Sequence, residues 1–192
     1  AFYFLHKNYS VPETGGSVFS ITDEGCVHDT HYDLYGHAFI VLACAALYRV
    51  SKDRQVLDYA KTTLNFIKSH FSIAGGGYAE ALDCDLKPIK TRRRQNPHMH
   101  LLESCLALYE VTGDADALSL AHRMMALFET CFFDDQSGTV GEFYEDDLTP
   151  HHKHGHHVES GHHGEWIWLI AQYTKITGQD DEKYTRIQRA LF

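Results

Sequence analysis

With 192 residues and 44% apolar side chains, the chain has material for a hydrophobic core and too much of it for disorder. Its 17 Lys and Arg against 26 Asp and Glu give a net charge of −9. No basic stripe offsets that charge, which argues against nucleic acid as a partner, because phosphate binding needs clustered cations.

Five cysteines (Cys26, Cys44, Cys84, Cys105, Cys131) are scattered and odd in number, and no C-x-x-C occurs. They read as reduced thiols in a cytoplasmic protein, with Cys44 and Cys105 buried in apolar helices. No stretch is read as a membrane span, and the N-terminus has no basic-then-apolar leader pattern.

In chain order, AFYFLHKNY (1 to 9) reads as the closing turns of a helix. Gly15-Gly16 turns into an extended segment, Val18 to Ile21, and a polar loop leads to an apolar helical pattern from Tyr35 to Tyr48. An amphipathic helix follows from Gln55 to Phe71. The parts then recur. From Gly75 come an extended Tyr78 to Ala81 and a loop whose basic run, Lys90 to Arg94, reads as solvated. The next helix opens at Asn96-Pro97, with Asn96 expected as N-cap, and continues through Leu101, Leu102, Cys105, Leu106 and Tyr109 at 3.6-residue spacing. A second amphipathic helix covers Ala115 to Phe133. From Ser137 come Val140 to Tyr144, a histidine-rich loop, a third apolar helix through Trp166 and Trp168, and another helix from Asp181.

Tyr48 and Tyr109 lie 61 residues apart, and Thr112-Gly113 and Thr177-Gly178 lie 65 apart. Three repeats are expected, at 15–74, 75–136 and 137–192, within one domain over 1–192. A buried helix alternating with an amphipathic one predicts an all-α toroid with inner and outer layers and small β-hairpins at one end. A solenoid of helix pairs is the alternative.

At those offsets Phe39, His100 and Glu165 fall in register, as do Tyr35, Asn96 and Gly161. Core positions keep their type between repeats; these do not, which makes them candidates for chemistry at the amino ends of the inner helices. His98 aligns with His37 and reads as structural or solvated. His100-x-x-Glu103 and His162-x-x-Glu165 place an imidazole and a carboxylate on one helical face. Trp166 beside them suits stacking on a sugar, whereas Trp168 reads as core. The stretch HHKHGHHVESGHH (151 to 163) is irregularly spaced and has no cysteine nearby, so no metal site is expected.

RRQNPHMHLLESCLALYEVTGD, DLYGHAFIVLACAALYRV and GHHGEWIWLI together resemble the N-acylglucosamine 2-epimerase superfamily. The nearest branch is the mannose isomerase group, also labelled mannose-6-phosphate isomerase-like, with cellobiose 2-epimerases as cousins. The resemblance spans nearly the whole chain, and N-P-H-M-H-L-x-E with G-H-x-x-E-W is a specific pair of signatures. It implies an (α/α)6 barrel, about half of it present. It also implies a cofactor-free isomerase or 2-epimerase that acts on mannose-type sugars by proton transfer through a cis-enediol. His100, His162 and Glu165 would be catalytic; Tyr35, Asn96 and Trp166 would bind the sugar, which is expected to be unphosphorylated. Glu165 would set the tautomer of His162. An arginine of the family would precede Ala1, and a second proton-transfer histidine would follow Phe192. The chain is therefore expected to be a fragment, with a homodimeric ring of two half-barrels as the alternative. A glycoside hydrolase using Glu142, Glu145, Asp146 or Asp147, or a non-catalytic carbohydrate-binding module, are the competing functions.

Overall fold

A computed structural model describes residues 1–74, 76–179 and 182–192. Two compact units divide the chain, one from Ala1 to Thr91 and one from Arg92 to Phe192. The boundary falls inside the second expected repeat. Gly75, where that repeat begins, and Asp181, the expected start of the last helix, lie outside the described residues.

The first unit contains α1 (Phe2–Tyr9), α2 (Leu34–Ser51) and α3 (Arg54–Phe66), the last running into a wider π-type turn over Ile67–Phe71. Asp33 caps α2 by accepting the Gly36 N–H at 2.7 Å, and Asp53 caps α3 through the Gln55 N–H at 2.9 Å. In α3, Val56, Leu57, Ala60, Thr63 and Leu64 make one buried stripe against α2. Each large apolar side chain buried there contributes roughly 1.5–3 kcal/mol. Contrary to expectation, α2 is long and apolar enough to cross a membrane by length and composition, with mean hydropathy 1.4. Packing in this unit accounts for part of its apolar content: 33% of the helix is buried, including Leu34, Ala38, Val41, Cys44 and Ala45. Burial pushes the Cys44 thiol up to about 12, which keeps it protonated.

The second unit contains α4 (Asn96–Thr112), α5 (Ala115–Leu127) with a π-type turn over Phe128–Phe132, α6 (Ser160–Thr177) and α7 (Glu182–Leu191). α4 is the core helix: Met99, Leu101, Leu102, Cys105, Leu106 and Leu108 are buried, and α5 and α6 pack on it. Asp114 caps α5 by accepting the N–H groups of Asp116 and Ala117. α4 and α6 have no side-chain cap; the N-cap residue of α4 is Gln95, and Asn96 is already its first helical residue. The expected Asn96 cap is thus displaced by one position.

Matching backbone bonds recur at corresponding places along the chain. After each extended segment a turn closes with the same two backbone bonds: Thr22 with Cys26 and Gly25, Asp83 with Lys87 and Leu86, Glu145 with Thr149 and Leu148. Gly25, Leu86 and Leu148 all take positive φ there, a conformation that costs leucine roughly 1–2 kcal/mol and glycine nothing. Apolar helices end alike, on left-handed Lys52, Gly113 and Gly178, each donating back to the carbonyl of Tyr48, Tyr109 or Thr174.

The extended segments do not all form the expected local hairpins. Ser20–Ile21 pairs with Val27–Asp29 nearby, but Ala81–Leu82 pairs with Tyr32–Asp33, and Phe143–Tyr144 pairs with Arg93–Arg94. In the last two, a segment joins the strand that enters an earlier apolar helix. This pairing carries Glu142 to the start of α4.

Candidate functional site

The histidines of the apolar helices divide into two kinds. His37 donates from Nδ1 to the Asp33 carbonyl at 2.6 Å and accepts the Ser17 N–H at Nε2, 3.0 Å away. His98, 61 residues on, donates from Nδ1 to the Arg94 carbonyl at 3.0 Å and meets the Phe132 ring edge-on. His163, a further 65 on, accepts the Val140 N–H at Nε2, 3.1 Å away. Burial depresses both His37 and His98 to about 4; for His98 the nearby Arg93 guanidinium adds to the effect. These neutral rings tie extended segments to helices. Of the two readings open to it, structural and solvated, His98 takes the structural one.

His100 and His162 are built differently. His100 is mostly buried on the second turn of α4, and its Nδ1 lies 2.9 Å from Glu103 Oε2, the same-face pair expected from the spacing. His162, on the first turn of α6, retains 21% side-chain exposure, and its Nδ1 lies 2.7 Å from Glu142 Oε1. A carboxylate only accepts, so the imidazole hydrogen sits on Nδ1 in both pairs and Nε2 becomes the basic nitrogen. For His162, Nε2 has no partner among the described residues.

Glu165 does not hold His162. It is exposed on the next turn of α6, and Glu142, which the sequence reading placed only in the hydrolase alternative, occupies that position. Glu142 is buried, and Gln95 Nε2 donates toward its two oxygens at 3.1 and 3.2 Å. Gln95 Oε1 in turn accepts the Trp166 indole N–H at 2.8 Å. Trp166 is therefore not at a rim; it is fully buried, with its ring stacked on Phe128 at 4.1 Å. Trp168, expected in the core, is 50% exposed. The two exchange roles because Trp166 shares a face with Leu169, Ile170 and Tyr173, all buried, and Trp168 does not.

Asn96 has its Oδ1 buried without a hydrogen-bond partner among the described residues, an uncommon state for a polar atom. Tyr35 belongs to the first unit, on the first turn of α2. It is 37% exposed, packs against Phe39, and lines a cavity of about 260 Å³ with Leu5, Phe19 and Ile40.

The basic run is the expected solvated loop from Lys90 to Arg92, all exposed, but not beyond it. Arg93 is buried and donates to the Asp146 carbonyl at 2.8 Å, and Arg92 lies over the Phe143 ring. In the histidine-rich loop, Glu145, His151 and His152 bring one potential metal-ligand atom each within 4.8 Å of one another. Those groups already serve the loop itself. Glu145 Oε1 accepts the backbone and ring N–H of His152, and His151 Nδ1 accepts the Lys153 and His154 amides.

Sequence reasoning passed over Gln95 altogether. Glu142 carried a usable signal, since Glu80 stands 62 residues earlier in the matching extended segment and is also buried.

The sequence pattern described as N-acylglucosamine 2-epimerase (GlcNAc 2-epimerase) matches residues 1–192. The chain belongs to this family. It is 32% identical over 160 residues to a mannose-6-phosphate isomerase of Rhizobium meliloti (strain 1021), covering 81% of this chain and 40% of that protein. Among solved structures, cellobiose 2-epimerase from Bacillus thermoamylovorans superposes with a TM-score of 0.91 at 25% identity, covering 99% of this chain and 51% of that one. A GH76 α-mannanase of Bacteroides thetaiotaomicron, at 17% identity and a TM-score of 0.67, covers 85% of this chain and 44% of its own and shares the fold alone. The chain spans half or less of the curated epimerase-family relatives it matches. Its helix-rich architecture, with seven α-helices among the described residues, is that of the family.

Proposed function

We propose that this chain supplies part of the active site of a sugar isomerase or 2-epimerase acting on mannose-type aldoses, and that it forms three helix pairs of an (α/α)6 barrel. One observation carries the reading: an imidazole at the start of α6 whose Nδ1 is held by the buried Glu142 and whose Nε2 is presented without a partner among the described residues. An imidazole with one nitrogen held and the other free can take a proton and return it.

In this mechanism His162 Nε2 removes the proton on the carbon next to the open-chain carbonyl, leaving a cis-enediolate. Delivery of that proton to C1, with the O2 hydrogen passing to O1, gives the ketose; the C2 epimer requires protonation of C2 from the opposite face by a second acid, a role that His162 alone does not fill. Glu142 compensates the positive charge that forms on His162. Asn96, His100 and the uncapped first turns of α4 and α6 are suited to hold the sugar hydroxyls and the developing oxyanion. Glu165, exposed one turn after His162, is placed to meet solvent or substrate rather than to orient the ring.

The hydrolase alternative needs two carboxylates flanking a glycosidic bond. Glu142 is buried beneath His162, and Glu145 and Asp147 accept bonds within exposed turns. The decisive experiment is turnover of mannose in D2O by the protein carrying this chain. Deuterium is expected at C2 of the epimer or C1 of the ketose, and is lost with His162→Ala. Reducing sugar released from mannan without isotope incorporation would refute the proposal in favour of hydrolysis; binding without either would leave a carbohydrate-binding module.

A further inference from the structure

Three side chains connect the core of the second unit to His162, and each fixes the next. The Trp166 indole N–H can donate but never accept. The ring is fully buried and stacked on Phe128, so that N–H has one direction available, and it meets Gln95 Oε1 at 2.8 Å. The amide of Gln95 is thereby oriented. Its oxygen faces the indole, and its NH2 group faces Glu142 at 3.1 and 3.2 Å. The reversed amide would set two acceptors against each other at Glu142 and two donors against each other at Trp166.

With donors facing both of its oxygens, Glu142 is accommodated as a carboxylate rather than as an acid, whose own hydrogen would meet the NH2 group. The ring of His162 completes the set, with Nδ1 2.7 Å from Oε1. Nδ1 also lies 3.1 Å from Gln95 Nε2; both atoms bear hydrogen, and they share Glu142 as their acceptor. An imidazole whose Nδ1 faces a carboxylate keeps its hydrogen there and its lone pair at Nε2.

We infer that Trp166 and Gln95 are positioning residues: from inside the core they turn the Gln95 NH2 group toward Glu142, hold its Oε1 as the acceptor for His162 Nδ1, and so lock His162 in the Nδ1–H tautomer, with Nε2 as the base. The inference deepens the proposed proton transfer and rests on it for its catalytic meaning. The tautomer itself does not depend on activity. Plain core packing is the competing account, under which any ring of the right size at position 166 would do.

Trp166→Phe separates the two, because phenylalanine preserves an aromatic ring against Phe128 and removes the N–H. Without its donor the Gln95 amide can turn, and Glu142 loses its paired donors. The readout is the long-range 15N–1H spectrum of the histidine rings in the folded protein above pH 8, with the His162 signals assigned by their loss in His162→Ala. The wild-type protein is expected to show His162 as the Nδ1–H form, and Trp166→Phe to show a mixture in which the Nε2–H form is populated. Turnover is expected to fall about tenfold or more with little change in KM, within the ~10²–10⁴-fold that a positioned base contributes. An unchanged His162 tautomer in folded Trp166→Phe overturns the inference. If the tautomer changes while turnover does not, the positioning holds and the assignment of His162 as the proton-transfer group falls. Should Trp166→Phe fail to fold, Gln95→Met, which removes the amide at similar length, is read in the same way.

Discussion

Acid should destabilise the second unit through His98 well before its carboxylates titrate. An unfolded imidazole titrates at ~6.5, whereas burial, helped by Arg93, brings His98 in the native fold to about 4. Between those values the unfolded chain binds a proton that the native chain refuses, so stability is fully present above about pH 6.5 and is lost as pH falls toward 4. At 1.36 kcal/mol per pH unit, the loss at pH 5 is about 2 kcal/mol, a sizeable share of the 5–15 kcal/mol typical of a domain. Exposed Asp134, Glu145 and Asp147, all held below the ordinary carboxylate range by hydrogen bonds, contribute in the same direction only nearer pH 4 and below. Urea unfolding at pH 7 and pH 5 measures the effect. His98→Gln retains a donor for the Arg94 carbonyl and carries no charge at either pH. It is expected to be less stable at pH 7 but to lose about 2 kcal/mol less than wild type on going to pH 5. Equal pH dependence in the two proteins would refute the reasoning.

Three further outcomes follow from the packing and the site. Gly16→Ala brings a methyl group within 2.8 Å of the Tyr32 ring and 2.5 Å of the Phe66 ring, both buried, and should cost about 1–3 kcal/mol in thermal or urea unfolding. Asp114→Ala removes the acceptor for two first-turn amides of α5 and should cost about 1 kcal/mol; a change below a few tenths would mean that water satisfies them equally well. Glu103→Gln leaves the fold intact but replaces the charge on His100 Nδ1. Turnover should therefore fall while the urea midpoint stays within error, and a purely structural His100 would show the reverse.

The helices were legible because their signals are local. Asn96-Pro97, Thr112-Gly113 and the 3.6-residue spacing of leucines act within a few residues, and the structure places α4 from Asn96 to Thr112 accordingly. The strand partners were not. A two-residue segment such as Phe143–Tyr144 carries no register information, and its pairing with Arg93–Arg94, fifty residues earlier, is set by tertiary packing. That pairing delivers Glu142 to Gln95 and buries Arg93, which is why both the tautomer-setting carboxylate and the buried arginine escaped the sequence reading. The exchange of Trp166 and Trp168 was avoidable, since Trp166, Leu169, Ile170 and Tyr173 stand at i, i+3, i+4 and i+7.

The repeat also separates two adjacent histidines that composition treats alike. His163 falls where the other copies have His37 and His98, and like His37 it accepts a backbone N–H from an extended segment. His162 falls where they have Gly36 and Pro97, residues with no side chain capable of proton transfer. The fold therefore requires an imidazole at 163 in its own pattern and requires none at 162. Yet 162 is where a buried carboxylate, an oriented amide and an indole converge, three polar groups whose burial costs free energy unless each finds its partner. A site that departs from the repeat and is nevertheless this fully satisfied is what the proposed proton transfer by His162 would require, and the helix that carries it does not require it.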